Sequence, residues 1–271
     1  MLAEKGLDAT AAWAQENGFS AVEFLQLNAE NWHSGVENVP HAKQVRKTLL
    51  AYGLTTACYS VGVNLLNGTE AVELLKRHAE LAAELGSPFL HHTLIDSLVL
   101  PENAPTFKET FPKVLDAATE VADYCQALGL TCLYEEQGLY FNGKKNLGRF
   151  FKEMKKRSKN VGICGDFGNI LFVDEAPESF LKAFKKDIRH VHLKDYVTAL
   201  SVEERTDKDA WLKTKGGVYL KDVPLGDGVI HLQKCFDLLR SVEYDGFFSL
   251  EIVEPIRNDS PAMEIAKKLF E

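Results

Sequence analysis

Apolar positions along this chain switch repeatedly between two periods. Leu7 to Asn17, His41 to Tyr52, Thr69 to Leu85, Thr106 to Leu128, Asn146 to Arg157, Glu178 to Lys186, Ile230 to Ser241 and Ala262 to Phe270 place apolar residues at helical spacing. Between them lie short runs that read as strands: Ala21 to Phe24, Leu54 to Val61, Pro88 to Thr93, Leu130 to Glu135, Val161 to Asp166, Ile188 to Lys194 and Phe247 to Ile252. Gly18, Gly53, Gly86 and Gly129 stand where helices should stop, and Thr106 is placed to cap the start of one. Strict β/α alternation implies parallel strands joined by right-handed crossovers. A doubly wound sheet usually brings a Gly-rich phosphate loop after its first strand. Here Gly162-Ile163-Cys164-Gly165 lies inside a strand, which favours a (β/α)8 TIM barrel formed by residues 1–271 as a single domain. No segment before Leu7 reads as a first strand. Either Met1 starts inside a longer natural chain, or the barrel closes with its first strand missing or irregular.

The strand ends carry the chemistry. In Arg189-His190-Val191-His192-Leu193-Lys194-Asp195, period two puts His190, His192 and Lys194 on one face. Glu135 ends its strand in phase with Thr131 and Leu133, and Asp166 and Glu251 end two others. In a parallel barrel such positions point into the active-site mouth. Each carboxylate alone could serve as a helix cap or ion-pair partner. Three of them with an imidazole suit one hard or borderline divalent ion: Mn²⁺, Mg²⁺, Co²⁺ or Zn²⁺. Gathering them without a cation would be costly.

Composition narrows the class. The net charge of −8 argues against a nucleic-acid groove, and no apolar run approaches membrane-spanning length. Five scattered cysteines without a CxxC pair read as buried thiols in a cytoplasmic protein. The N-terminus lacks the basic and apolar regions of a signal peptide.

Gly129-Leu130 through Glu135, Gly165-Asp166-Phe167-Gly168-Asn169, His190 to Asp195, Pro224-Leu225-Gly226-Asp227-Gly228 and Ser249-Leu250-Glu251 together resemble the sugar phosphate isomerase/epimerase group of the xylose isomerase-like TIM barrels. The resemblance covers nearly the whole chain. It implies a metal site of Glu135, Asp166, His192 and Glu251, commonly holding Mn²⁺, with Glu135 and Glu251 as the catalytic proton-transfer pair. Two positions depart from the epimerase pattern: Asn169 stands where a substrate-binding His is expected, and Thr198 where an Arg is expected.

A metal-chelated carbonyl and hydroxyl would acidify the carbon between them. The expected function is therefore a metal-dependent isomerase or epimerase of a small sugar or polyol-derived carbonyl compound, through an enediolate. A lyase of the inosose dehydratase type is the alternative. A metal-dependent endonuclease and a non-catalytic sugar-binding barrel are more distant ones. Expected substrate contacts are His92, favoured over His91 by its spacing from Gly86, with Lys194, Asn169 and Glu23. Lys194 could equally pair with Asp195, and Tyr59, Trp32, Phe167 and Tyr196 could wall a pocket. Glu136, out of phase, should face a helix, and His33, His41, His78 and His231 should face solvent. The polar stretch from Asp195 to Gly228 reads as a loop, either a lid over the mouth or a contact in a homo-oligomer.

Overall fold

The computed structural model describes residues 6–26, 36, 38–95, 97–98, 103–205, 211–251 and 261–270. The chain divides into two units. The first is Met1–Asp96 with Pro105–Glu135 and Phe150–Gly162, and the second is Ser97–Ala104 with Glu136–Arg149 and Ile163–Glu271.

In the first unit, β1 (Ala21–Gln26), β2 (Thr55–Val61), β3 (Phe89–His92) and β4 (Thr131–Glu135) run parallel in chain order. Helices α1 (Leu7–Glu16), α2 (Val39–Ala51), α3 (Thr69–Leu85) and α4 (Phe107–Ala127) each pack on the next. Short-range signals set the helix ends. Thr106 and Glu109 form a reciprocal capping box at the start of α4. Gly86 closes α3 at φ 75, a left-handed conformation that favours glycine.

Period two then sorts the strand side chains. Tyr59 reaches His78 of α3, with Oη 3.0 Å from Nδ1. Tyr134 packs edge-on against Phe150, at 5.0 Å between centroids, within α5 (Gly143–Arg157). Each fully buried ring such as Phe150 contributes about 1.5–3 kcal/mol. His78 is thus a buried group rather than a solvent-facing one. Burial, and then the charge of Arg77, lower its pKa to about 4.

In the second unit, β5 (Val161–Asp166, its last four residues belonging here), β6 (Ile188–Leu193) and β10 (Phe248–Leu250) are parallel. Register pairs Asp166 with His192 and His192 with Ser249. Helices α6 (Pro177–Phe184), α7 (Leu232–Arg240) and α8 (Pro261–Phe270) complete it, and α6 packs on α7.

The stretch expected to be one long loop contains a small antiparallel sheet, β7 (Asp195–Ala199), β9 (Tyr219–Val223) and β8 (Leu212–Lys213), in the order β7-β9-β8. The strand-favouring Tyr219, Leu220 and Val223 were the signal, overshadowed by Gly216-Gly217. Leu220 is buried while its strand neighbours are half-buried. Among the described residues no strand precedes α1, and no helix is long and apolar enough to cross a membrane.

Candidate metal centre

Three strand ends of the second unit converge. One ligand atom each of Asp166, His192 and Glu251 lies within 4.8 Å of the others. Asp166 is fixed from both sides. Its amide donates to Glu136 Oε1 at 2.8 Å, and its Oδ1 accepts from the amides of Gly168 (2.6 Å) and Asn169 (2.8 Å). Its other oxygen, Oδ2, is buried and makes no hydrogen bond among the described residues. That oxygen faces Lys194 Nζ at 3.4 Å and His192 Nδ1 at 4.0 Å. His192 Nδ1 lies 3.1 Å from Glu251 Oε2, and Lys194 Nζ donates to Glu251 Oε1 at 2.8 Å. Burial alone would raise the Glu251 carboxyl. The Lys194 charge and the hydrogen bonds from His192 and Lys194 overcome it and hold the group well below the usual carboxylate range.

Asp195 turns the other way. Its Oδ1 accepts from the amides of Tyr196 (2.9 Å) and Ile230 (3.2 Å), and its Oδ2 from those of Gly226 and Gly228 (3.0 Å each). This explains why Lys-Asp and Pro-Leu-Gly-Asp-Gly occur together. A Cβ at Gly228 would collide with the Asp195 carboxylate. Lys194 therefore pairs with Glu251 and Asp166 while Asp195 gathers a turn.

In the first unit, Glu135 is buried at the end of β4. His91 Nε2 stands 3.5 Å from its Oε2. His91 Nδ1 lies 2.9 Å from Ser60 Oγ, and the Ser60 hydroxyl donates to Glu23 Oε1. Register pairs Ser60 with His91 and His91 with Leu133, so His91 shares the face of Leu133 and Glu135. His92 points to the opposite face. Its Nδ1 donates to Thr93 O at 2.9 Å, and its ring meets Tyr134 edge-on at 5.4 Å. Burial lowers its pKa to about 4. Of the two histidines, His91 is the one beside the candidate base.

The donor set suits a metal. Two carboxylates and one imidazole, with a buried carboxylate oxygen that no hydrogen bond satisfies, match a hard or borderline divalent ion.

A model of the xylose isomerase-like TIM barrel matches residues 11–270. The chain belongs to this family. Among curated relatives, an inosose dehydratase of Geobacillus thermodenitrificans is 26% identical over 221 residues, covering 77% of this chain and 72% of the relative. Another, from Bacillus cereus, is 27% identical over 192 residues, and the match spans 63% of its length. A xylose isomerase-like TIM barrel protein of Mycobacterium smegmatis, solved in complex with magnesium, superposes with a TM-score of 0.70 at 16% identity, covering 97% and 86% of the two chains. An L-ribulose 3-epimerase gives a TM-score of 0.68 at 19% identity over 99% and 82%. These likenesses support the TIM barrel fold, and family and relatives together point to an enzyme acting on sugars.

Within this xylose isomerase-like barrel, several side chains stand elsewhere than the sequence suggested. Glu136, expected only to face a helix, anchors the Asp166 amide. Tyr59 faces α3, and Phe167 packs edge-on against Phe236 of α7. Asn169 is buried, and its Nδ2 has no hydrogen-bond partner among the described residues. Trp32 and His33 lie outside the described residues. Ser60 carried no signal beyond its phase with Cys58 on β2.

Proposed function

We propose that this chain is a divalent-metal enzyme that removes a proton from the carbon beside the carbonyl of a small polyhydroxy ketone. In this reading the two units form one barrel domain spanning residues 1–271, and Glu135 joins Asp166, His192 and Glu251 around one ion. The observation that carries it is the clustering of Asp166, His192 and Glu251, with Asp166 Oδ2 buried and lacking a hydrogen bond. An ion there, Mn²⁺ or Mg²⁺ by preference, would polarise the carbonyl and an adjacent hydroxyl of the substrate.

The chain's own residues do the rest. Glu135 and Glu251 are the proton-transfer pair, one taking the proton and the other supplying one. Lys194, already 2.8 Å from Glu251, and the Asn169 amide orient substrate oxygens. Glu23 acts from further back, through Ser60.

After that first step, loss of the β-hydroxyl gives dehydration, whereas return of the proton gives epimerisation or isomerisation. Dehydration of an inosose takes the lead, because the curated relatives quoted above bear that name and Asn169 and Thr198 depart from the epimerase pattern. Epimerisation is the second reading, supported by the two glutamates. The test is metal content by mass spectrometry, followed by incubation with an inosose and with D-fructose in deuterated water. Water loss from the inosose is expected. Absence of both bound metal and deuterium exchange with every polyhydroxy ketone would refute the proposal.

A further inference from the structure

We infer that Ser60 and His91 are positioning residues for Glu135, held in a side-chain relay that starts at Glu23. The inference rests on the metal-site reading above. Four adjacent parallel strands, β1 to β4, contribute one residue each: Glu23, Ser60, His91 and Glu135. The register of β2 on β3 pairs Ser60 directly with His91. Ser60 and His91 are both buried, so neither can trade its partner for bulk water.

The direction of the relay follows from the single hydroxyl proton. Ser60 donates it to Glu23 Oε1, so toward His91 the hydroxyl oxygen accepts, and Nδ1 at 2.9 Å carries the proton. That fixes the ring's orientation and leaves Nε2 facing Glu135 Oε2 at 3.5 Å. Oε2 thus faces an imidazole whose orientation the Ser60 hydroxyl sets. Histidine rings oriented through their second nitrogen serve metal sites in the same way, and losing such an outer partner typically costs about 10–100-fold in metal affinity or activity.

The experiment titrates MnCl₂ into the full-length chain by calorimetry, beside thermal unfolding of each variant. Ser60→Ala and His91→Leu are expected to weaken Mn²⁺ binding about 10–100-fold while melting cooperatively. His91→Gln, which returns an amide nitrogen near the Nε2 position, should recover part of that loss. Glu135→Ala is the reference. Should it weaken binding while Ser60→Ala and His91→Leu leave affinity unchanged, the positioning role is wrong and the metal site stands. Unchanged binding in Glu135→Ala removes the site reading and the relay with it. Loss of a whole equivalent of Mn²⁺ in His91→Leu would make His91 a ligand and overturn the inference. Where His91→Leu does not fold, Ser60→Ala decides the matter, since it deletes only one buried hydroxyl.

Discussion

Asp195 is the most exposing place to perturb the second unit, because one carboxylate serves four backbone amides. The four fall into two pairs. Oδ1 holds the amides of Tyr196 and Ile230, whose residues are buried. Oδ2 holds those of Gly226 and Gly228, on the more exposed side of the turn. Asp195→Asn keeps one acceptor oxygen and turns an amide NH₂ toward the other pair, whichever way it flips. The oxygen should stay with the buried pair, since water can reach only the glycine amides. Two charge-assisted bonds are then lost, at about 1.5–3 kcal/mol each before water repays part, so a net loss of about 2–4 kcal/mol is expected. Asp195→Ala also strands the two buried amides, at about 1–3 kcal/mol each, and should fall clearly below Asp195→Asn. The measurement is urea unfolding at pH 7 with a constant slope. Equal losses in the two variants, or less than about 1 kcal/mol in Asp195→Asn, would refute the account of this turn.

Replacing Glu135 or Glu251 with Gln should lower solvent-deuterium exchange into an inosose about 10²–10⁴-fold with metal content retained, and full exchange in both variants would exclude the two-carboxylate mechanism. Stability should fall on acidification because of His92. Its folded pKa of about 4 lies below the ordinary 6.5, so its contribution is complete above pH 6.5 and lost as pH drops toward 4. The loss from this group is about 3 kcal/mol, and denaturant titrations showing no steeper slope for wild type than for His92→Phe would contradict it. Removing divalent metal with a chelator should lower the melting temperature, and MnCl₂ at about a hundred times its dissociation constant should restore about 2.7 kcal/mol.

The sequence was most readable where local chemistry and period agree. Alternating helix and strand periods placed β1 to β6, and capping residues such as Thr106 and Gly86 marked ends that depend on nearby atoms. The strand-end positions of Asp166, His192 and Glu251 were legible for the same reason, since period two fixes which face a terminal residue takes. Choices between neighbours were not. His91 and His92 differ only in phase, and that phase is set by register with Ser60 and Leu133, residues distant in sequence. Glu136 looked like a helix-facing acid because nothing local announces that a backbone amide 30 residues away will claim it. The β7-β9-β8 sheet hid for a related reason, its pairing lying across a stretch rich in turn residues.

The run His192-Leu193-Lys194-Asp195 shows how a strand's period can divide chemical labour. His192 and Lys194 share a face, and both reach Asp166 and Glu251. Asp195, one residue on, begins β7 and turns to the amides of the following turn. Lys194 alone does not neutralise the proposed four-ligand site. Three carboxylates and one ammonium leave two negative charges, which one divalent ion balances. The same count explains why an ammonium tolerates a metal nearby. It would repel the ion, yet each of its carboxylate partners would gain more from the pair of cations than from either alone. In the proposed site Lys194 would share Glu251 with the ion and offer its charge to a substrate oxygen, which a lysine on this face could do and a methionine could not.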